Sequence, residues 1–443
     1  MNIGALVSVL LGVSVVTLDI SLTSTAIPAI AIGLNEPAAK TIWIINIYYL
    51  AVIAALLPLA AMGEIFGHRR IFLGGLGVFS LGALLSGGAD TLPGLMLGRA
   101  LLGIGSAAVS ATTPALIRSI YPAEKLGRGL GLYAMIVGIA LTVGPSAAST
   151  ILAFAAWHWL YWMSVLPACL ALITGLGALP HTDKLVRPFD PLSAFMCAAV
   201  FASLLFGIAS IAHLGWQIAA LALLVSVALA YALSRRESGR PAPILAIDLF
   251  KLPVFALSSL TSVCAFTVQG VVLVVLPFFL MLKLSYTQVQ AGWMIAPWPA
   301  ALALMTLFAP RLAERIAPGI LGALGLVLLS VGLILLECMD PSATAWQVGW
   351  RLLLCGVGFG LFQSPNMVAL MTSAPLERSG GAGGILATSR LLGQSLGAAA
   401  VAFCLSTWPT QGVSASIWFG VLVGLLGAGA SALRLWPALR QAH

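Results

Sequence analysis

Residues 41–70 read TIWIINIYYLAVIAALLPLAAMGEIFGHRR, an apolar run followed by one acid and two arginines. The apolar part, 41–62, contains no charged side chain. It is long enough to cross ~30 Å of hydrocarbon as a helix, which takes about 20 residues. Glu64, Arg69 and Arg70 then follow where such a helix would leave the bilayer. The stretch therefore predicts a membrane-spanning helix that ends in a charged loop.

The same pattern recurs along the whole chain of 443 residues, of which 60% are hydrophobic and 8% charged. A soluble domain usually carries about 25% charged residues. No polar stretch is long enough to form a separate soluble domain, so we predict an all-α membrane protein. Fourteen spans are predicted near 3–30, 41–62, 71–88, 94–117, 129–152, 159–179, 192–211, 214–233, 254–282, 290–309, 317–336, 347–372, 383–406 and 415–435.

The distribution of Lys and Arg predicts which loops face the cytoplasm. With both termini inside, sixteen of the 21 Lys and Arg residues fall in inner segments, and only Lys40 and Lys283 in outer loops. Such a bias is typical of inner loops, so the net charge of +8 indicates topology and not a nucleic-acid partner. The inner residues are Arg69, Arg70, Arg118, Lys125, Arg128, Lys184, Arg187, Arg235, Arg236, Arg240, Lys251, Arg311, Arg315, Arg378, Arg434 and Arg440.

An internal repeat is visible at an offset near 250 residues. It predicts two six-helix halves, 1–180 and 254–443, related by an axis along the membrane normal. The region 181–253 then contributes two inserted helices with their flanking linkers. The landmarks are Ile27-Pro28 and Leu276-Pro277, Trp43 and Trp293, Glu64 and Glu314, and Arg99 with Gly103 and Gly105 against Arg351 with Gly356 and Gly358.

Three of these stretches resemble motifs of the major facilitator superfamily. The loop 60–70 resembles the signature between the second and third helices, with Ala60 and Glu64 in place of the usual Gly and Asp. Leu97-Gly98-Arg99 is similar to the fourth-helix motif, and Gly144-Pro145 to the antiporter motif of the fifth helix. The resemblance runs nearly end to end and implies the major facilitator fold with fourteen helices arranged as 6+2+6.

Further motifs resemble one branch of that superfamily, the fourteen-span drug/proton antiporters. Leu18-Asp19 followed by Ala26-Ile27-Pro28 is similar to their first-helix motif, although Ser21 and Ser24 replace the usual Thr and Asn. The antiporter motif is also partial. Ala140, Ala148 and Ser149 stand where it usually has Gly. Segments that resemble methyl-viologen and quaternary-ammonium exporters lie at 297–299, 362–366 and 377–381.

Asp19 is an acid well inside a predicted span, where ionisable groups are costly and usually functional. Counting from Ile3 at ~1.5 Å per residue puts Asp19 roughly 24 Å from the inner face. Arg99 comes out at a similar depth on a ~30 Å span, so the two side chains can pair. We predict that they carry proton coupling, with Asp19 alternating between a proton and a cationic substrate. The alternative is a static buried pair that locks two helices.

Five residues are predicted to gate the transport cycle. Glu64, Arg69 and Arg70 lie at the cytoplasmic membrane surface, where the alternative is ordinary topology-setting charge. Gly144 and Pro145 allow a close helix approach and a kink, because Pro removes one helix hydrogen bond. A tight packing there would block leak and favour exchange, whereas the alternative is a routine membrane Pro kink.

Side chains of several spans are predicted to bind substrate. Aromatic faces attract lipophilic cations by about 0.5–2 kcal/mol through cation–π interaction. For any single aromatic residue, a place in the core or at the membrane interface is the alternative. The candidates are Asp19, Trp43, Tyr48, Phe278, Trp298, Phe362, Gln363 and Asn366.

The sequence contains no GxxxxGK[ST] or HExxH motif, so neither ATP-driven transport nor enzymatic catalysis is expected. No cofactor is expected beyond the proton motive force, and no metal is expected. His158 and His213 fall in predicted outer loops, which argues against a proton relay through them. A membrane enzyme would need a catalytic cluster and a receptor would need a sensory domain, and the sequence predicts neither.

Together these patterns predict a monomeric, multi-pass protein of the bacterial inner membrane that exports hydrophobic cations in exchange for protons by alternating access. Its expected partners are a small-molecule substrate, protons and the lipid bilayer. The alternative within transport is a carrier of a metabolite such as an organic anion. The acid at position 19 favours a cationic or neutral substrate.

Overall fold

A computed structural model of the chain describes residues 3–122, 126–180, 190–210, 215–237, 247–313, 315–375 and 379–435. Every regular element of these residues is helical. The helices are α1 (Ile3–Gly33), α2 (Ala38–Thr41), α3 (Trp43–Phe66), α4 (His68–Gly87), α5 (Leu92–Ile120), α6 (Leu126–Phe154), α7 (Trp159–Ala178), α8 (Pro191–Ser210), α9 (Trp216–Glu237), α10 (Pro253–Phe278), α11 (Gln288–Ile295), α12 (Pro297–Ala313), α13 (Pro318–Glu337), α14 (Ala345–Ser373), α15 (Ser379–Thr407) and α16 (Gly412–Leu433). A 3₁₀ turn covers Ile247–Lys251, and a π-helical turn covers Phe279–Lys283.

These helices coincide with the predicted spans, and 13 helices of the described residues are long and apolar enough to cross a membrane. The predicted span 290–309 is different, since it consists of two helices, α11 and α12. The break follows from Pro297 and Pro299, because a proline fits the first turn of a helix and disfavours helical geometry in the residue before it. The count of fourteen spans therefore stays a prediction.

The described residues divide into two compact units. The first contains those up to Ser210 together with Gly215–Arg236, and the second contains those from Glu237 onward. In the first unit, α1 packs on α6 and α7, α4 packs on α5 and α7, and α3 packs on α5. The inserted helix α8 packs on α3, where Phe206 contacts Trp43 at a ring distance of 6.3 Å. The predicted limits of the three regions stay a prediction.

The second unit repeats these pairings helix for helix. Here α10 packs on α15 and α16, α13 packs on α14 and α16, and α12 packs on α14. The points of closest approach also repeat. A Cβ on Gly103 would meet the Tyr48 carbonyl and Ala51, and a Cβ on Gly356 would meet the Trp298 carbonyl and Ala301. Each helix pair is thus set by a glycine at the same place.

Some sequence landmarks lie outside the described residues. Glu314, the repeat partner of Glu64, is one of them, and Glu377-Arg378 of the exporter-like segment is another. Besides Arg378, the same holds for five other predicted inner charges, Lys125, Lys184, Arg187, Arg240 and Arg440.

Candidate functional site

A buried ion pair joins α1 to α5 in the first unit. Arg99 Nη1 donates to Asp19 Oδ2 at 2.5 Å, and the two side chains are 0% and 2% exposed. The pair that helix depth predicts is therefore present. Removing two charges from water is costly unless each finds further partners, so the surroundings of the pair decide what it can do.

The guanidinium of Arg99 has three other neighbours. Its Nε donates to the Ile44 carbonyl at 3.3 Å, and its carbon lies 4.3 Å from the ring centre of Tyr48 and 5.8 Å from that of Tyr161. Both rings present faces that attract a cation. Its Nη2 has no hydrogen-bond partner among the described residues. Arg99 is thus held by one acid, one main-chain carbonyl and two aromatic faces.

The position of Tyr48 below Arg99 follows from the glycine one turn further along α5. Residues four apart share a helix face, so Gly103 and Arg99 both face α3. A Cβ on Gly103 would lie 2.6 Å from the Tyr48 carbonyl. The absence of a side chain there allows α3 to approach α5 and brings the Tyr48 ring to Arg99.

The ion pair has no charged counterpart at the repeated place of the second unit. Gly356 and Gly358 lie 253 residues after Gly103 and Gly105 and make the equivalent helix contacts. The same offset matches Arg99 with Leu352. At Ser21, α1 lies close to α6, and α10 lies similarly close to α15 at Gly270, 249 residues later. That offset matches Asp19 with Val268. Val268 and Leu352 are both 0% exposed, so an apolar pair occupies these positions.

The sequence match between Arg99 and Arg351 is therefore wrong by one residue. Arg351 is half-buried, donates from Nη1 to Gln347 of its own helix at 2.7 Å, and lies over the ring of Trp350 at 4.5 Å. One residue turns a helix position by about 100°, which moves the side chain to another face.

Two amides link α10 and α15 close to that apolar pair. Gln394 Nε2 donates to Gln269 Oε1 at 2.9 Å, and Gln269 is 7% exposed. Hydrogen bonds between polar side chains of membrane helices contribute about 0.6 kcal/mol on average. The second unit thus carries a neutral polar contact near the place where the first carries charge.

Three of the five predicted gating residues, Glu64, Arg69 and Arg70, lie at one end of the first unit. Gly67, with φ of 99°, allows the tight turn between α3 and α4, which leaves Glu64 and Arg69 half-buried and Arg70 exposed. Arg69 Nη2 donates to the Leu176 carbonyl at 2.6 Å and so ties the start of α4 to the end of α7. Gating by these residues stays a prediction.

At Gly144, α6 lies close to α1. A Cβ there would collide with the Ser21 side chain, two residues after Asp19. Pro145 follows within α6, where it removes one helix hydrogen bond. The predicted antiporter motif therefore packs on the segment of α1 that carries the buried acid.

The remaining substrate candidates are mostly buried. Phe278 is 5% exposed, and Trp298 and Phe362 both contact Phe359, with ring distances of 6.4 and 5.8 Å. The Oε1 atom of half-buried Gln363 is buried and has no partner among the described residues. These aromatic side chains form part of the packed centre of the second unit.

Asn366 belongs to a network that the sequence did not suggest. Its Oδ1 accepts from Arg434 Nη1 at 2.6 Å, and its Nδ2 donates to Ser262 Oγ at 2.7 Å. Arg434 also donates to Ser258 Oγ at 3.1 Å and to the Ser431 hydroxyl. In the sequence Arg434 looks like a loop charge, but it is only 4% exposed. Burial lowers the pKa of its guanidinium to about 10.

The described residues contain no group of three or more His, Cys, Asp or Glu side chains that could hold a metal ion. At the buried pair, the Asp19 carboxylate can hold either a proton or a cation, and the Arg99 guanidinium beside it has neutral partners of its own.

Comparisons with known proteins agree with this architecture. The family model described as Major Facilitator Superfamily matches residues 9–398. The chain is 39% identical to the uncharacterized transporter YebQ of Escherichia coli over 98% of this chain and 95% of that protein. It is 27% identical to the multidrug resistance protein Stp of Mycobacterium tuberculosis over 90% of this chain and 75% of Stp.

A solved structure shares the fold at low sequence identity. The crystal structure of the POT family transporter PepTSo superposes with a TM-score of 0.73, at 12% identity. The match covers 99% of this chain and 98% of that chain. At this identity the likeness concerns the fold alone.

Proposed function

This chain belongs to the major facilitator superfamily of membrane transporters, and we propose that it is a proton-coupled antiporter that exports hydrophobic, cationic compounds by alternating access. The observation that carries the proposal is the buried Asp19–Arg99 pair. Intramembrane acids in transporters typically mark proton relays or substrate sites. The 27% identity to a multidrug resistance protein supports the substrate class. The bacterial relatives support a place in the inner membrane.

The first step of the proposed cycle is competition for one carboxylate. The Asp19 side chain binds either a proton or the positive charge of the substrate. Arrival of one therefore favours release of the other. When the substrate leaves Asp19, one proton takes its place and enters the cell. No covalent bond of the substrate changes.

The other contacts of Arg99 stabilise its buried charge when Asp19 is neutralised. Breaking a buried pair by removing one partner usually costs about 3–5 kcal/mol, because the other charge is left alone. Here the guanidinium keeps the Ile44 carbonyl and the faces of Tyr48 and Tyr161. Each face contributes about 0.5–2 kcal/mol, which lowers the cost of opening the pair.

Proton-coupled export is tested by dye dequenching in inverted membrane vesicles energised by a proton gradient. Methyl viologen, benzalkonium and ethidium are added in turn, and at least one is expected to dissipate the gradient. Asp19→Asn keeps the shape of the side chain but cannot exchange a proton. We expect it to reduce the response to the level of vesicles that lack the protein.

The matched control is Asp90→Asn, in the same unit. The Asp90 side chain is 93% exposed, so its loss is expected to leave the response to these cations unchanged. If Asp19→Asn still transports with a normal dependence on the gradient, the proposal fails. A response to an organic acid alone would instead assign the fold to a metabolite carrier.

A further inference from the structure

An arginine without an acidic partner lies near the predicted outer end of α14. Arg351 Nη1 donates to the Gln347 carbonyl of the same helix at 2.7 Å, and the guanidinium carbon lies 4.5 Å from the ring centre of Trp350. Its Nε is buried and has no hydrogen-bond partner in the part of the chain that the structure describes. No acid of those residues forms an ion pair with it. A guanidinium has five N–H donors, so Arg351 keeps donors for a further acceptor.

The length of α14 places this arginine close to the boundary between hydrocarbon and lipid headgroups. The helix Ala345–Ser373 has 29 residues, which at ~1.5 Å per residue is about 43 Å. A centred helix then extends roughly 6 Å beyond each side of a ~30 Å hydrocarbon layer. Arg351 follows Ala345 by six residues, or roughly 9 Å. Its main chain therefore lies just inside the hydrocarbon, and its long side chain reaches the headgroups, as arginine does near the ends of spanning helices.

The tryptophans beside Arg351 lie on a face of α14 that points away from the core of the second unit. Trp346, Trp350 and Leu353 follow one another at spacings of four and three residues, which puts them on one helix face. Trp346 is 75% exposed, Trp350 is half-buried and Leu353 is exposed. Leu352 and Phe359, on the other side of the helix, are fully buried. An outward, apolar face of a spanning helix suits lipid, and tryptophan is enriched at the depth of the headgroups.

The repeated place of the first unit lacks this arrangement. The offset of 253 residues between the matching glycines of α5 and α14 pairs Arg351 with Gly98 and Trp350 with Leu97. A Cβ on Gly98 would collide with the Ser86 side chain, so α5 packs on α4 there. The same helix pairing thus forms without a cation or an indole at this place. A ligand explains Arg351 and Trp350 better than packing does.

The acceptor that fits this guanidinium is a phosphate group. Its planar N–H groups match two phosphate oxygens, and charge-assisted hydrogen bonds of this kind are among the strongest. We propose that Arg351, Trp346 and Trp350 form a phospholipid site on the predicted outer side of the second unit. The guanidinium binds the phosphate, and the indoles pack on the glycerol and the upper acyl chains. The site requires only that the chain spans a membrane, so it is independent of the proposed function.

The site is tested by photo-cross-linking of purified full-length protein in detergent. The probe is phosphatidylglycerol that carries a diazirine near its glycerol, and cross-linked peptides are identified by mass spectrometry. We expect saturable labelling of residues 346–353. Arg351→Gln is expected to raise the half-saturating concentration about tenfold or more, as the loss of a hydrogen bond between charged groups usually does. Labelling of this segment that does not saturate, or that is unchanged in Arg351→Gln, would overturn the proposal.

Two further variants separate the charge from its geometry and guard against misfolding of Arg351→Gln. Arg351→Lys keeps the charge but loses the planar fork, so we expect an intermediate weakening of about threefold. Trp350→Leu keeps the arginine but removes the ring beneath it, and it is expected to weaken labelling as well. If both variants label as strongly as the unaltered protein, the guanidinium and the indole do not form the site.

The matched control is Lys40→Gln in the first unit. Lys40 also lies in a predicted outer loop, but its ammonium pairs with Glu36 at 3.4 Å and is largely exposed. The substitution removes one positive charge from the same predicted face of the membrane. We expect the labelling of residues 346–353 to stay unchanged. An equal loss in Lys40→Gln and Arg351→Gln would indicate a general effect of net charge and would contradict a site at Arg351.

Unlabelled competitors identify which part of the lipid is recognised. Phosphatidylglycerol and phosphatidylethanolamine share the phosphate, and both are expected to displace the probe. Diacylglycerol has the same acyl chains without phosphate, and millimolar inorganic phosphate has no acyl chains, so neither is expected to compete. Displacement by diacylglycerol would overturn recognition of the phosphate. Displacement by inorganic phosphate would assign the site to a soluble phosphate compound and overturn its assignment to lipid.

Discussion

Asp19 and Arg99 occupy positions at which the second unit has Val268 and Leu352, and all four side chains are buried. The same packing therefore accepts either an ion pair or two apolar residues. Replacing a buried ion pair by apolar side chains of similar size is often neutral or stabilising. We therefore propose that the charges of the first unit serve transport rather than folding.

This comparison predicts the behaviour of a double substitution that copies the second unit into the first. Arg99→Leu alone is expected to destabilise by about 3–5 kcal/mol, because the buried Asp19 charge is left without its partner. Asp19→Val alone is expected to destabilise by less, because Arg99 keeps its carbonyl and aromatic neighbours. The double variant is expected to unfold at a temperature similar to that of the unaltered protein. Its cation export is expected to be absent.

Thermal unfolding of purified protein and transport in vesicles measure the two effects separately. A double variant that is as unstable as either single variant would assign the ion pair a structural role. The reverse double substitution, Val268→Asp with Leu352→Arg, is a useful control. It tests whether the second unit accepts charges at the equivalent place.

The main pair could be predicted from the sequence, because helix rise alone puts Asp19 and Arg99 at one depth. The match of Arg99 with Leu352 rather than Arg351 could not be predicted, since the spacing to the following glycines differs by a single residue and only packing shows which face meets α12. The burial of Arg434 could not be predicted either. Its charge at a predicted helix end suggests a loop, whereas burial depends on Ser258 and Asn366, which are distant in sequence.

At the scale of helices, two glycines set matching distances in the two units. Gly103 brings α5 to α3, and Gly356 brings α14 to α12. A methyl group at either place would press on the main chain of the neighbouring helix. In the first unit this displacement would also move Tyr48 relative to Arg99, so the glycine links helix packing to the ion pair.

Gly103→Ala is therefore expected to destabilise the protein by about 1–3 kcal/mol, as overpacking of a close contact usually does. It should also weaken cation export, because the Tyr48 ring moves away from the Arg99 guanidinium. Gly356→Ala is expected to lower the unfolding temperature similarly and to affect export less. Unfolding temperature and dye dequenching, measured on the same preparations, check both statements.

The control is Gly74→Ala on α4, where a Cβ would meet nothing within 4 Å. Because Ala favours a helix over Gly by up to about 1 kcal/mol, this variant should be as stable as the unaltered protein or slightly more. If Gly103→Ala behaves like Gly74→Ala, the close approach of α3 and α5 does not depend on the glycine.

Helix ends could be predicted because long apolar runs stop at charges, Gly or Pro. The span 290–309 shows the limit of that reasoning. Its composition suggests one helix, but the two prolines at 297 and 299 interrupt the hydrogen-bond ladder and give α11 and α12. Apolar content determines whether a segment enters the bilayer, whereas main-chain hydrogen bonding determines whether it stays one helix.

At the scale of the whole chain, the sequence repeat anticipated that two sets of six helices would pack alike. It could not place the inserted helices, because α8 and α9 have no counterpart in the repeat. Their apolar surfaces fit lipid and protein equally. The packing of α8 on α3 assigns them to the first unit.

The central claim is that one carboxylate, Asp19, exchanges protons for a cation. The most direct test uses purified protein in liposomes that contain a pH-sensitive dye, with the membrane voltage clamped and no initial pH difference. A methyl viologen gradient is then imposed. The account predicts that protons move against the direction of the cation, that Asp19→Asn abolishes this movement, and that Asp90→Asn retains it. Cation flux without proton movement, or protons that move with the cation, would contradict it.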